Sequence, residues 1–306
     1  MFDIIGKRFM FFLISGIVIL IGIISLLSAG LPSGIEFSSG DMLTIQFEEL
    51  VEYDQFKDEM HNLGYTDAII QSAGENQFLI RTQVLSDAEQ RLIKSSLTAR
   101  FGEQAEEPQF IEVSPQVASE TVRNAAIAVA ISAIGILLYV TWAFRRMPRP
   151  LHYGTCAIVA LVHDALVAMG VFSILSAILG WEINIMFITG ILAVIGYSVN
   201  NTVVIFDRIR ENLSRGIGGN FEGVVNNSLV ETLSRSVNTS LTTLIVVLAL
   251  LLFVGATIQN FVVVLIIGII AGTFSSVCIA PSLLVVWDKK EWHRFLFWRR
   301  FSRMES

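Results

Sequence analysis

Two groups of polar side chains lie in stretches of the chain that are otherwise apolar. His163 and Asp164 are adjacent within the third apolar stretch, and Asn200, Asn201 and Thr202 follow one another in the fourth. Ionisable and amide side chains in hydrocarbon cost free energy unless they meet a partner or water, so they often mark ion pathways. Asp164 can release and bind a proton, whereas the amides can only bind and orient. We therefore predict that these five residues line an ion pathway.

The fifth apolar stretch begins with a polar segment, residues 234–243, which contains Arg235. Because arginine does not release its proton in proteins, Arg235 is predicted to supply a fixed positive charge beside the pathway without carrying protons. The sequence also leaves open that its long side chain reaches the membrane surface. For the polar groups of the third and fourth stretches, a hydrogen bond between packed helices is the alternative explanation.

Glycines in the fourth and sixth apolar stretches are predicted to permit close contacts between helices. Gly190 and Gly196 precede the polar group of the fourth stretch, and Gly268 and Gly272 form a GxxxG pattern in the sixth. Glycine lets two helix backbones approach each other, so we predict that these four positions lie at helix–helix contacts.

Composition places these residues on membrane-spanning helices. The chain has 306 residues, of which 53% are hydrophobic and 16% charged, as is typical of a membrane protein. A hydrocarbon core about 30 Å thick requires roughly 20 apolar residues per helix. We therefore predict a polytopic α-helical membrane protein with six transmembrane helices. The windows are residues 9–29, 125–144, 153–179, 185–206, 237–258 and 260–287.

Basic residues predict the orientation of the spans, because positively charged loops stay in the cytoplasm. They occur before the first span and after the second, fourth and sixth, whereas the connection 180–184 has none. Both termini are therefore predicted to be cytoplasmic in a multi-pass protein of the inner (cytoplasmic) membrane. Residues 1–29 are expected to be a retained anchor, and residues 288–306 a basic tail. The residues predicted to anchor the fourth span at the cytoplasmic surface are Asp207, Arg208 and Arg210.

Residues 30–124 are predicted to form an extracytoplasmic domain between the first two spans, named the outer domain. It contains 17 acidic and 6 basic side chains, a net charge of −11, which argues against a nucleic acid partner. An acidic surface that only keeps the domain soluble is the alternative. Strand and helix patterns alternate in the order β-α-β-β-α-β, that of the α+β ferredoxin-like unit. The strands are 41–48, 67–72, 77–82 and 109–113, and the helices 51–63 and 86–101, the second with a capping box at Ser86 and Glu89.

No residue pattern predicts catalysis, a metal or a cofactor. Cys156 and Cys278 both lie in predicted spans without further metal-ligating residues, so the outer domain has no disulfide. We therefore predict a non-enzymatic membrane protein, in contact with lipid, whose outer domain binds or handles a partner.

Motifs along nearly the whole chain resemble the SecF family, the smaller half of the SecD–SecF accessory complex of bacterial protein export. The closest resemblance is Ile-Gly-Tyr-Ser-Val-Asn at 195–200 followed by the run at 202–212. The other matching segments are Gly-Ile-Glu-Phe-Ser-Ser-Gly at 34–40, Phe-Arg at 144–145, Ala-Leu-Val-His-Asp at 160–164 and Arg-Ser-Val-Asn-Thr-Ser at 235–240.

The resemblance implies a fold related to the RND transporter superfamily and a complex with SecD. It further implies work beside the SecYEG channel and the SecA motor, on preprotein substrates at the outer face, driven by the proton gradient. One position departs from the family, which usually has aspartate where this chain has Asn201. Since asparagine does not titrate, coupling would have to use Asp164, a SecD carboxylate or another ion.

Two other functions are compatible with the sequence. An RND-type small-molecule or lipid transporter usually has an outer domain much larger than residues 41–113. In a structural scaffold, the membrane amides would only bind neighbouring helices. The sequence does not distinguish protons from sodium as the coupling ion, or either from none, and it leaves the stoichiometry with SecD open.

Overall fold

The computed structural model describes residues 3–74, 76–105 and 107–292. These residues include six helices long and apolar enough to cross a membrane, and a small antiparallel sheet inserted after the first of them. The end of the helix bundle that carries the sheet is named the outer end, and the opposite end the inner end. Most of the predicted basic tail, from residue 293 onward, lies outside the described residues.

The outer domain follows helix α1 (Arg8–Ser28), which a short 3-10 turn (Ile5–Lys7) precedes. Three pairings, all antiparallel, give the strand order β2-β3-β1-β4. Ser86 and Glu89 form the predicted capping box at the start of α4. In chain order the elements are α2 (Ile35–Ser38), β1 (Gly40–Gln46), α3 (Tyr53–Asn62), β2 (Ile69–Gly74), β3 (Gln77–Thr82), α4 (Asp87–Phe101) and β4 (Gln109–Val113).

Helices α3 and α4 cover one face of this sheet. Alternate residues of β1 and β3 point into that core, since successive side chains of a strand lie on opposite faces. Phe78 stacks on Phe56 with ring centroids 4.2 Å apart. Ile93 and Leu97 of α4 are fully buried in the same core. The opposite face of the sheet, named the open face, points toward the outer end of the helix bundle.

The remaining five spans form the helix bundle with α1. They are α5 (Pro115–Ala143), α6 (Pro150–Leu179), α7 (Ile185–Ser214), α8 (Phe221–Phe253) and a sixth span in three parts: α9 (Ala256–Phe274), a π-helical turn (Ser275–Ile279) and α10 (Ala280–Lys289).

Several helices extend beyond the predicted windows. Helix α5 begins at Pro115 rather than at 125, α7 continues to Ser214, and α8 begins at Phe221 rather than at 237. Hydropathy detects only the apolar part of a helix, whereas capping residues determine where the helix itself begins. Ser114 caps α5 in this way, and the Asn220 side chain accepts a hydrogen bond from Gly223 N (2.8 Å) at the start of α8.

The α1–α6 contact depends on two facing glycines that the sequence predictions did not include. A Cβ added to Gly22 would lie 2.9 Å from Gly170 Cα, whereas one added to Gly16 on the same helix would meet no atom of the described residues within 4 Å. We expect Gly22→Ala to destabilise the protein by about 1–3 kcal/mol through overpacking. Thermal unfolding in detergent measures this effect, with Gly16→Ala as the control. Equal melting temperatures for the two variants would contradict the prediction.

The inner end of the bundle is closed by a buried arginine. Arg8 lies in the basic segment before the first span, yet its side chain is only 5% exposed and pairs with Glu222 and Glu291, both at 2.6 Å. Asn226 Oδ1 accepts a hydrogen bond from Ile4 N at 2.9 Å. Helices α1, α8 and α10 are therefore joined at this end by charged and polar contacts.

Candidate functional site

A buried carboxylate lies where three membrane helices meet. Asp164 of α6 is fully buried, and its Oδ2 accepts hydrogen bonds from Ser198 Oγ of α7 (2.5 Å) and Ser275 Oγ of the π-helical turn (2.8 Å). Both hydroxyl groups converge on one oxygen atom, which leaves the other for a different partner. The carboxyl group thus links α6, α7 and the sixth span.

His163 continues this network to the first span. Its Nδ1 lies 2.9 Å from Asp164 Oδ1, and its Nε2 lies 2.5 Å from Ser15 Oγ of α1. Both His163 and Ser15 are buried. The five side chains, here named the carboxylate cluster, are Ser15, His163, Asp164, Ser198 and Ser275.

The carboxylate cluster accommodates a proton in two ways. With an ionised carboxylate, His163 Nδ1–H donates to Asp164 and Nε2 accepts from the Ser15 hydroxyl. With a protonated carboxyl group, Asp164 donates to Nδ1 and Nε2–H donates to Ser15. Neutral imidazole has one donor and one acceptor nitrogen, so both patterns satisfy both ring nitrogens of His163. The cluster can therefore gain or lose one proton without leaving His163 unsatisfied.

The sixth span is shaped to approach this cluster. A Cβ added to Gly272 would lie 2.9 Å from Ser198 Cβ and 3.4 Å from Asp164 Oδ2, so a larger residue would separate the helices. The π-helical turn that supplies Ser275 ends next to Pro281, which has no N–H for the helical ladder. Single π turns occur frequently at functional sites.

A second polar group, the amide cluster, lies next to the first. It consists of Asn201 of α7, Ser240 of α8 and Thr273 of α9. Asn201 Nδ2 donates to Ser240 Oγ at 3.1 Å, and Thr273 Oγ1 donates to the same oxygen at 2.7 Å. Thr202 is also buried. Positions 198, 201 and 202 are three and four residues apart, so they share the inward face of α7.

Asn200 and Arg235 are not part of either cluster. Both residues are exposed in the described chain. A helix of 3.6 residues per turn rotates about 100° at each residue, so Asn200 lies about 200° around α7 from Ser198 and outside the arc formed by positions 198, 201 and 202. Of the six polar residues predicted to line or flank an ion pathway, four therefore point into the bundle of the described chain, and Asn200 and Arg235 are exposed on it.

Three of the four predicted packing glycines lie where α7 meets the sixth span. A Cβ on Gly190 would lie 3.0 Å from Val264, and one on Gly268 would collide with Val194. Gly272 faces Ser198, as described above. Gly196 is exposed, and an added Cβ there would meet no described atom within 4 Å. Its predicted packing role is wrong within this chain, because it lies on the opposite side of α7.

The charged end of α7 is held against α8. Arg208 Nε lies 2.6 Å from Glu231 of α8, and Asn212 Nδ2 donates to Ser228 Oγ at 3.0 Å. Arg210 Nη2 lies 2.5 Å from Asp207 Oδ1 on the same helix. The contacts of Arg208 and Asn212 therefore bind the inner ends of α7 and α8 to each other.

The outer domain is joined to the helix bundle by a buried ion pair. Arg81 of β3 pairs with Glu182, which lies in the outer connection, residues 180–184 between α6 and α7. The Arg81 and Glu182 side chains are 12% and 2% exposed. Desolvation lowers the pKa of Arg81, and the charge of Glu36 opposes that shift. The group nevertheless remains charged at neutral pH.

Backbone hydrogen bonds also hold the outer connection against the outer domain. Ile183 N donates to Pro32 O at 2.8 Å, and Gly34 N donates to Ile183 O at 2.9 Å. Glu36 Oε2 accepts from Ile185 N at 2.7 Å, where α7 begins. The segment that links α6 and α7, two of the helices that form the carboxylate cluster, is therefore bound to the outer domain.

Sequence reasoning did not identify Ser15, Ser275, Arg81 or Glu182. A lone serine in an apolar helix carries little signal, since such residues usually pack against a neighbouring backbone. Glu182 was the better clue, as the one charged side chain in residues 180–184. Its partner Arg81 is too distant in the sequence to be inferred.

The family described as "Protein export membrane protein SecD/SecF, C-terminal" matches residues 93–290. The protein translocase subunit SecF of Thermobaculum terrenum is 42% identical over 317 residues, which cover 100% of this chain and 98% of that protein. The protein translocase subunit SecDF of Bacillus subtilis is 34% identical, with 94% of this chain and 38% of that protein covered.

A crystal structure of SecDF from Thermus thermophilus, a translocon-associated membrane protein, superposes on this chain with a TM-score of 0.82 and 32% identity. The superposition covers 94% of this chain and 39% of the SecDF chain. In both SecDF proteins, therefore, the region similar to this chain is about two-fifths of a longer polypeptide.

Proposed function

The chain belongs to the SecD/SecF family of protein export membrane proteins, and from this premise we propose that it is a SecF-type accessory subunit of the Sec machinery. In this proposal it is a non-enzymatic, multi-pass membrane protein that pairs with a SecD-type chain. The pair uses an ion gradient to promote the translocation and release of preproteins at the outer face, beside the SecYEG channel and the SecA motor.

The observation that carries this proposal is the carboxylate cluster. A fully buried carboxyl group bonded to hydroxyl groups from two other spans is a group whose charge state affects how those spans pack. Moving one elementary charge through the membrane potential supplies about 2.3 kcal/mol per 100 mV. That energy is of the order required to shift a two-state equilibrium between helix arrangements.

The contacts of the outer connection supply a route from that site to the outer domain. Asp164 lies within α6 and Gly180 follows the last residue of that helix. At a rise of 1.5 Å per residue the two are about 24 Å apart. Helices α6 and α7 both carry residues of the carboxylate cluster. Residues 180–184 connect the end of α6 to the start of α7. A change in their relative position would therefore pull on the segment that Arg81 binds.

The proposal also assigns a role to the two exposed polar residues. Asn200 and Arg235 face away from the described chain, which is the expected position for residues that meet a second subunit. We assign that surface to the SecD-type chain. With the inner membrane as its location and both termini cytoplasmic, residues 30–124 are on the outer side, and their strand order and β-α-β-β-α-β connectivity fit a ferredoxin-like domain.

Substitution of Asn201 tests whether this position contributes to the coupling between the ion gradient and translocation. In Asn201→Asp, a carboxylate would replace the amide next to Ser240, whose hydroxyl group can then donate to it. We expect ion-driven translocation to be retained and its pH dependence to acquire a second titrating group. Asn201→Leu, which removes the hydrogen bond, is expected to lower the rate. An unchanged pH profile in Asn201→Asp would show that this position is outside the ion path.

Purification of the intact membrane complex tests the proposed function. We expect a SecD-type chain to co-purify with this protein, and vesicles containing both chains to translocate a preprotein faster when an ion gradient is imposed. A complex without a SecD-type chain, or a gradient without effect on translocation, would contradict the proposal. Altered resistance to small toxic molecules with normal secretion, after deletion of the gene, would instead favour an RND-type transporter.

A further inference from the structure

We propose that the open face of the outer-domain sheet binds a short, extended and uncharged stretch of the exported polypeptide. This inference rests on the proposed function and assigns its substrate to a particular surface. The surface is one wall of a groove of about 960 Å³ between the sheet and the outer end of the helix bundle.

Ten side chains of the four strands form this wall. The strand register aligns Ile69, Arg81, Met42 and Ile111 across the sheet in one row. A second row aligns Gln71, Leu79, Thr44 and Gln109 in the same way, and Gln46 pairs with Gln77 beyond it. All ten residues line the groove.

The open face lacks the charge that characterises the rest of the domain. Arg81 is the one ionisable group among the ten positions, and its charge is paired with Glu182. The domain as a whole has a net charge of −11. The other charged residues of the groove lie off the sheet: Glu36 in α2, Lys57 in α3, Glu107 before β4 and Glu182 in the outer connection. A sheet face that only met water would be expected to carry exposed charges.

The chemistry of this face suits a polypeptide backbone. Five of the ten side chains are glutamine or threonine, counted as Gln46, Gln71, Gln77, Gln109 and Thr44. An amide group offers both a donor and an acceptor, and each unfolded backbone residue presents the complementary pair. Such contacts do not depend on the side chains of the bound segment. A surface that serves many exported proteins requires that independence.

Apolar residues on both walls supply the remaining contact area. Met42, Leu79 and Ile111 alternate with the amides on the sheet, and Trp181 and Met186 lie on the opposite wall. Methionine adapts its shape to different partners. An anionic lipid headgroup is a poorer fit, because the one cation of the face is already neutralised by Glu182.

Site-specific photo-crosslinking in the intact complex with SecD tests this inference. The photoreactive residue p-benzoyl-phenylalanine is placed at position 44 on the open face or, as a matched control, at position 95 on the exposed side of α4. A preprotein is then stalled in mid-translocation. We expect position 44 to crosslink to the preprotein at least several-fold more than position 95, and the product to disappear when translocation is completed.

Crosslinks from position 44 to the SecD-type chain or to lipid alone, equal yields at the two positions, or no crosslink would overturn the inference. A second variant tests the charge argument. Thr44→Glu is expected to lower the crosslink from a probe at position 109, whereas Ser95→Glu leaves it unchanged. Gradient-stimulated translocation by the wild-type complex is measured in the same vesicles. If that stimulation is absent, the proposed function fails, and if it is present without the crosslink, only the groove assignment fails.

Discussion

Asp164→Asn is expected to remove most of the part of preprotein translocation that depends on the ion gradient. Asparagine has nearly the same shape as aspartate and can still accept hydrogen bonds from Ser198 and Ser275, so the helices should pack as before. It cannot change its charge, however. One charge moved through 100 mV contributes about 2.3 kcal/mol, equivalent to roughly a 50-fold rate difference. We therefore expect most of the gradient-dependent stimulation to disappear.

The measurement is preprotein translocation into vesicles that contain the complex, with and without an imposed gradient. Asp207→Asn provides the control, since Asp207 is an exposed carboxylate on the same helix as Ser198, paired with Arg210. It should keep the stimulation. Equal stimulation of wild type and Asp164→Asn would exclude the carboxylate cluster as the coupling site.

The second large effect is expected from Arg81→Ala. Removing one partner of a buried ion pair leaves the other charge buried and uncompensated, which costs about 3–5 kcal/mol. Here the loss would weaken the attachment of the outer domain to the outer connection. Hydrogen exchange measures it directly, because Ile183 N and Gly34 N are protected by bonds across that contact. We expect their exchange to accelerate by roughly 150- to 5,000-fold, the factor to which about 3–5 kcal/mol corresponds.

A double variant separates the ion pair from the general effect of mutation. Replacing both charges by apolar residues, Arg81→Met with Glu182→Leu, should cost much less than Arg81→Ala alone, because no unpaired charge remains. Arg91→Ala, on the exposed surface of α4, should leave the exchange unchanged. Slow exchange at Ile183 in Arg81→Ala would mean that the backbone hydrogen bonds alone hold the outer connection.

Local patterns in the sequence were sufficient to predict much of the fold. Six apolar windows gave six spans, and the capping box at Ser86 marked the start of α4. Helices α5, α7 and α8 extend 8 to 16 residues beyond their apolar windows, with the largest difference at the start of α8. Hydropathy follows the lipid-facing part of a helix, while the helix itself continues to the next capping residue or glycine.

The site was only partly predictable, because its members come from four spans. His163 and Asp164 are neighbours in the chain and stood out as a buried ionisable pair. Ser15 and Ser275 became recognisable only when folding placed them against that pair. Asn200 was assigned with Asn201 on composition, although helical geometry places them on different faces. Arg235 was also grouped with them from its position in a polar segment, yet its side chain is exposed in the described chain.

Infrared difference spectroscopy of the reconstituted complex detects the protonation state of the Asp164 carboxyl group itself. If the carboxyl group of Asp164 takes up and releases the coupling proton, a protonated-carboxyl band should appear and vanish as the pH on one side of the membrane changes. That band should be missing in Asp164→Asn and present in Asp207→Asn. An identical carboxyl signal in wild type and Asp164→Asn would contradict the account.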